Sequence, residues 1–142
     1  MRALLPLLLL AQAMPAAALD PLAGRIGEAV DIPPEDWAAM ATGRTLTYQI
    51  EGAPFAREHY YPGTDRVTLQ LADGHCLEGR WRYAAPLYCF YWEGEAPACF
   101  RHARLDQTIV VIQTEDGADT PVIQRMTGVT DTPLFCGPAV TS

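Results

Sequence analysis

From Thr45 onward the chain alternates. Leu46, Tyr48 and Ile50 are interleaved with Thr45, Thr47, Gln49 and Glu51, the period of two that a half-buried strand requires. Gly52-Ala53-Pro54 predicts a turn, Phe55 to Tyr61 a second strand, and Pro62-Gly63-Thr64-Asp65 a four-residue turn. Val67, Leu69 and Leu71 alternate with Arg66, Thr68 and Gln70 to make a third strand, which ends at Asp73-Gly74. Cys76 to Arg82, a turn at Tyr83 to Pro86, Leu87 to Trp92, a turn at Glu93-Gly94-Glu95 and Ala96 to Arg104 continue the series. After a weak turn at Leu105 to Gln107, Thr108-Ile109-Val110-Val111-Ile112 is the most β-branched run and is expected to be covered on both faces. A turn cluster around Asp116-Gly117 leads into a last strand, Pro121 to Thr127. Eight short strands on short turns predict an all-β fold, an eight-stranded antiparallel up-and-down barrel, with a β-sandwich as the alternative. Closing eight strands removes the exposed edges and leaves an interior for side chains or one small ligand.

Outside this region the pattern changes. Ile32 to Gly43 reads as a short N-terminal helix, with prolines at its start, Glu35 and Asp36 in its first turn and Gly43 after its end. Trp37, Met40 and Ala41 form its apolar stripe, which suits it to plug one end of a barrel. Asp20 to Asp31 carries little pattern and is expected to lie along the surface. Val129 to Ser142 reads as an irregular tail tied down by Cys136. Arg2, the apolar run Leu4 to Ala13 and the small residues up to Ala18 have the order of a secretory signal peptide cleaved after Ala18. The run is too short to span about 30 Å of hydrocarbon. The expectation is a leader, 1–18, and one barrel domain, 19–142, in the periplasm or secreted, with no membrane span after cleavage.

Four cysteines in an exported domain predict two disulfides. A three-residue loop at Glu93-Gly94-Glu95 puts Cys89 directly opposite Cys99, within reach of a bridge. Cys76 and Cys136 are then left to staple the tail, a longer loop worth on the order of 4 kcal/mol in the chain-entropy model.

Gly43-Arg44-Thr45-Leu46, then Glu58-x-Tyr60-x-Pro62 with Val67, Cys76-x-x-Gly79-x-Trp81, Leu87-x-Cys89-Phe90-x-Trp92 and Cys99-Phe100 give a spacing that covers most of the chain from Gly43 to Phe100. In that spacing the chain resembles a family of small secreted, lipocalin-like bacterial proteins of unknown function. The resemblance implies a small periplasmic barrel and carries no activity with it.

Composition narrows the chemistry. The formal charge is −7, and removal of Arg2 with the leader makes it −8. There is no Lys, and the arginines are scattered, so nucleic acid and anionic lipid are poor partners and a basic protein is a better one. Asn is absent and Ser occurs only as Ser142, which excludes serine-nucleophile and Lys Schiff-base chemistry and N-linked glycans. His59, His75 and His102 lack metal-ligand spacing, so no metal or other cofactor is expected. Paired cysteines leave no free thiol for catalysis.

Tyr48, Tyr60, Trp81, Tyr88, Phe90, Trp92 and Phe100 share one face by strand parity, as a packed core or as the lining of a ligand pocket. Two turns put Glu58 on that face. Counting from Gly52-Ala53-Pro54 pairs Tyr48 with Glu58 and Leu46 with Tyr60; counting from Pro62 to Asp65 pairs Glu58 with Leu69 and Tyr60 with Val67. A buried acid needs a proton or a donor, and Tyr48, His102 and Arg104 are the candidates. Trp81 is expected to be buried near Tyr88, with Gly79 opposite Phe90 leaving room for its ring. The candidate ligand-binding set is Tyr48, Glu58, Tyr60, Trp81, Phe90 and His102. The function expected is non-enzymatic: a barrel holding a small apolar ligand or nothing. The alternative is an acidic inhibitor or partner of a cationic cell-envelope protein.

Overall fold

The computed structural model describes residues 20–137, so the expected leader, 1–18, and the last five residues of the tail lie outside the described residues. The alternating stretch folds as a closed antiparallel barrel of eight strands. They are β2 Thr45–Ile50, β3 Ala53–Tyr60, β4 Arg66–Leu71, β5 Cys76–Ala84, β6 Leu87–Trp92, β7 Ala98–Leu105, β8 Thr108–Glu115 and β9 Ala118–Thr130. Each strand pairs with the next, and β9 pairs with β2 to close the ring. A ninth strand, β1 Val30–Asp31, pairs with the second half of β7, beyond the residues that β6 covers. The last strand is longer than its sequence indicated and reaches Thr130.

Two hairpins are tighter than expected. The β2–β3 turn is Glu51-Gly52, both residues left-handed at φ 51° and 79°, the conformation a two-residue hairpin prefers. Leu46 therefore faces Glu58, and Tyr48 faces Ala56. Phe55 is the extra residue of a bulge, since Gln49 faces Pro54 while Tyr48 faces Ala56. The β5–β6 turn is Ala85-Pro86, so Trp81 lies opposite Phe90 and Gly79 opposite Trp92. A Cβ at Gly79 would sit 2.6 Å from the Trp92 ring, so the glycine makes room for Trp92 rather than for Phe90. In both hairpins the register differs from expectation by two, an even slip that keeps side chains on their expected faces, except at the bulge beside the β2–β3 turn, where the shift becomes odd. The β3–β4 register is as expected, with Glu58 opposite Leu69 and Tyr60 opposite Val67.

β8 is apolar on both sides. Ile109 and Val111 point into the barrel, where they join Leu46, Tyr48, Tyr60, Val67, Tyr88 and Phe90. Val110 and Ile112 point outward and join Ala103, Leu105 and Ile123. The chain before the barrel covers that outer cluster. Residues Pro21–Glu28 form a 3-10 helix capped by Asp20, and Leu22, Ile26 and Ala29 pack on it. Asp20 to Asp31 is thus a structural cover and not a patternless surface segment. Its edges are tied by Arg125 to Asp20, by Arg25 to Asp106 and by Arg101 to Asp31 and Asp119.

The helix α1, Pro34–Ala41, plugs one end of the barrel. Trp37 is fully buried and packs against Tyr60, Tyr88 and His102. The tail crosses the outside of β2 to β5. Thr45 donates to the Thr132 carbonyl at 2.6 Å and Gln70 to the Phe135 carbonyl at 3.0 Å. The Cys76–Cys136 bridge holds it there, and Cys89–Cys99 bridges the paired β6 and β7 with a Cα separation of 4.0 Å. Among the described residues no helix is long and apolar enough to cross a membrane.

Candidate functional site

The barrel interior is not filled. A cavity of about 150 Å³ is lined by Tyr48 and Phe55, Glu58 and Leu69, Phe90 and Trp92, Phe100, His102, Val111 and Gln124. Antiparallel alternation puts the turns at 51–52, 72–75, 93–97 and 116–117 around one end and α1 at the other. Phe55, Trp92, Phe100 and Gln124 are half-buried and form the wall toward the turn end. Phe55 has outward parity, and the bulge is what re-aims its ring into the cavity.

Glu58 is 6% exposed, so a solvated carboxylate at an open mouth is ruled out. Tyr60 donates to its Oε1 at 2.5 Å and Tyr48 to the same oxygen at 3.4 Å. Among the described residues no hydrogen bond reaches Oε2. Burial, which disfavours the ionised form, pushes the Glu58 carboxyl up to about 7, against the downward pull of the Tyr60 and Tyr48 hydroxyls. Burial also holds both tyrosine hydroxyls well above their ordinary range, so they remain donors.

His102 is 1% exposed and sandwiched in rings. Tyr88 stacks on it at 4.0 Å and 5°, and Trp37 lies 4.1 Å away. Tyr88 is anchored by its hydroxyl, which donates to the Ile32 carbonyl at 2.6 Å. Neither His102 ring nitrogen has a hydrogen-bond partner among the described residues. Burial takes the imidazole down to about 3, so it is neutral near pH 7 and presents one N–H and one acceptor nitrogen. A buried polar group without a partner is costly, on the order of 1–3 kcal/mol. Such a group facing a cavity is what a bound molecule or ordered water would satisfy.

Four of the six candidate residues, Tyr48, Glu58, Phe90 and His102, line this cavity together. Tyr60 stands behind Glu58 and fixes its orientation. Trp81 does not line the cavity. It is half-buried rather than buried, packs on Tyr60 and Tyr88 at the border of the inner cluster, and sits opposite Phe90 across the tight Ala85-Pro86 hairpin. Arg104 is exposed at the far end of β7, opposite Val30, and does not reach Glu58. His102 and Glu58 line the same cavity without a hydrogen bond between them. Trp92 and Phe100 were legible as members of the inward aromatic face. Phe55 carries no inward signal in the strand alternation, whereas Gln124 shares the parity of inward Met126. His59 lies on the outside, its Nδ1 3.0 Å from Thr45 Oγ1, and Arg57 pairs there with Gln70.

Among the described residues no group of three His, Cys, Asp or Glu side chains is placed to hold a metal ion. The arrangement offers shape, aromatic surface, one acid and one neutral imidazole to a molecule about the size of a single ring. In comparisons with known proteins, no family model, curated protein or solved structure matches this chain.

Proposed function

We propose that this protein is an exported, non-enzymatic barrel that binds one small, largely apolar molecule inside. The observation that carries the reading is the cavity of about 150 Å³ with His102 on its wall, both ring nitrogens unpartnered, and Glu58 beside it with one oxygen unused. Replacing these polar groups with apolar side chains in a packed core would be simpler if stability were the only requirement. Two disulfides support an oxidising compartment. The non-enzymatic reading rests on the sequence, which has no Lys and no Ser before Ser142. Native mass spectrometry of the disulfide-bonded protein, purified from a periplasmic expression host, tests the proposal. A co-purifying small molecule that leaves on gentle activation is the expected result. A mass equal to the bare chain, together with no uptake of benzene or benzyl alcohol added to saturation, would overturn it.

A further inference from the structure

Three features of the cavity bear on what its occupant is. The first is the acid. Glu58 is buried in a cavity walled by β2, β3, β4, β6, β7, β8 and β9, with no cation in its lining among the described residues. Tyr48 and Tyr60 meet it from β2 and β3, and His102 on β7 is neutral near pH 7. Leu69 on β4, Phe90 and Trp92 on β6, Val111 on β8 and Gln124 on β9 complete the wall, and none of them is charged. Both hydroxyls donate to Oε1, which leaves the Oε2 lone pairs for something else. The second is the lining. Tyr48, Phe55, Phe90, Trp92 and Phe100 line the space with aromatic rings, and aromatic rings attract cations as well as apolar groups. The third is His102, whose acceptor nitrogen lacks a donor although it is nine-tenths buried and more.

Resting on the ligand-binding reading above, we infer that the occupant is a small organic cation, an amine with an apolar ring or branched chain. Its ammonium is held by Glu58 Oε2 and the acceptor nitrogen of His102, within the aromatic box. A neutral apolar molecule would fill the space equally well and leave Glu58 Oε2 and the imidazole unpaired. A carboxylate or phosphate would be repelled by Glu58. The acidic surface, −7 overall, adds a long-range attraction for a cation.

Binding of a cation at Glu58 depends on pH. An ammonium needs the ionised carboxylate, and in the empty protein the Glu58 carboxyl stands at about 7. Affinity for an amine that stays protonated throughout therefore rises with pH up to about 7 and levels off above it. Below that point it falls by roughly tenfold per pH unit. A neutral ligand shows the weaker, opposite trend, because the protonated acid is its better neighbour.

Titration calorimetry of the intact, disulfide-bonded protein decides the matter, with benzylamine and benzyl alcohol as probes at pH 8 and pH 5.5. The expected result is that benzylamine binds about tenfold or more tightly than benzyl alcohol at pH 8. That preference should vanish at pH 5.5 and in Glu58→Gln, which keeps an acceptor for the two tyrosines. Phe100→Leu, at a half-buried position, is the second variant, and it should weaken benzylamine more than benzyl alcohol. Benzyl alcohol binding as well as or better than benzylamine at pH 8 overturns the cation assignment and leaves the ligand-binding reading standing. Binding of neither probe overturns both.

Discussion

The two apolar clusters of this protein are built from alternate residues of the same strands and differ in nearly everything else. The outer one, Ala29, Ala103, Leu105, Val110, Ile112 and Ile123 with Leu22 and Ile26, is wholly aliphatic. The inner one is rich in rings and encloses Glu58 and His102. β8 sends Val110 and Ile112 to the first and Ile109 and Val111 to the second. The outer cluster shows what this chain does when only stability is at stake: branched side chains close over one another beneath a short helix. The inner cluster keeps an acid, an imidazole and an unfilled volume that stability alone would remove. On the proposed reading, the difference separates the part of the molecule that holds the fold from the part that holds the ligand.

The comparison is most strongly tested at Ile112. Ile112→Ala cuts a cavity in the closed outer cluster and should destabilise by about 2–5 kcal/mol in urea unfolding, with benzylamine affinity unchanged. A loss of affinity alongside would join the two regions that the structure keeps apart.

Next in size is the pH dependence of the empty protein. Glu58 is raised from 4.5 to about 7, so the folded state binds its proton more tightly than the unfolded chain does. Its contribution is therefore present below about 4.5 and lost as pH rises through about 7, on the order of 3 kcal/mol in all. His102 has the opposite sign. Its folded value of about 3 lies below 6.5, so stability falls as pH falls from 6.5 toward 3. The two offset each other over the shared window, and Glu58→Gln isolates the acid. The variant should gain on wild type as pH rises from 5 to 8, measured as the difference in urea midpoints. A constant difference across that range would mean that the carboxylate is not desolvated.

Trp81 lies at the border of the inner cluster, and Trp81→Ala should cost about 1–3 kcal/mol, less than the 3–5 typical of a buried aromatic. The smallest effect is expected at Val111, where the wall already faces a void. Val111→Ala should cost about 1 kcal/mol and enlarge the cavity, so that a bulkier amine such as 4-methylbenzylamine gains on benzylamine.

Much of this was legible in the chain. Alternation and turn residues predict eight strands and their closure, and one hairpin is enough to place Glu58 inside. Pro62 to Asp65 is a turn whose length can be read, and it sets Glu58 against Leu69. The other two registers are shifted because the turn residues do not announce themselves. Glu51 is a non-glycine residue at positive φ, and Ala85-Pro86 is not one of the glycine-rich pairs that mark tight hairpins. The bulge that re-aims Phe55 follows from the same hidden turn. The N-terminal cover did leave a trace, since Leu22, Ile26 and Ala29 recur at helical spacing, but Gly24 and Gly27 dilute it. That His102 lacks a partner among the described residues depends on which side chains of several strands and α1 meet around it, and no local pattern carries that.

The central claim is that the inner cluster is arranged for a ligand and the outer one is not. The most direct measurement is an NMR titration of the intact protein with benzylamine at pH 8, following the His102 ring nitrogens, the Val111 methyls and the Ile112 and Ile123 methyls together. The account predicts saturable shifts at His102 and Val111, with Ile112 and Ile123 still. Shifts of equal size in both clusters, or none at His102, would contradict it.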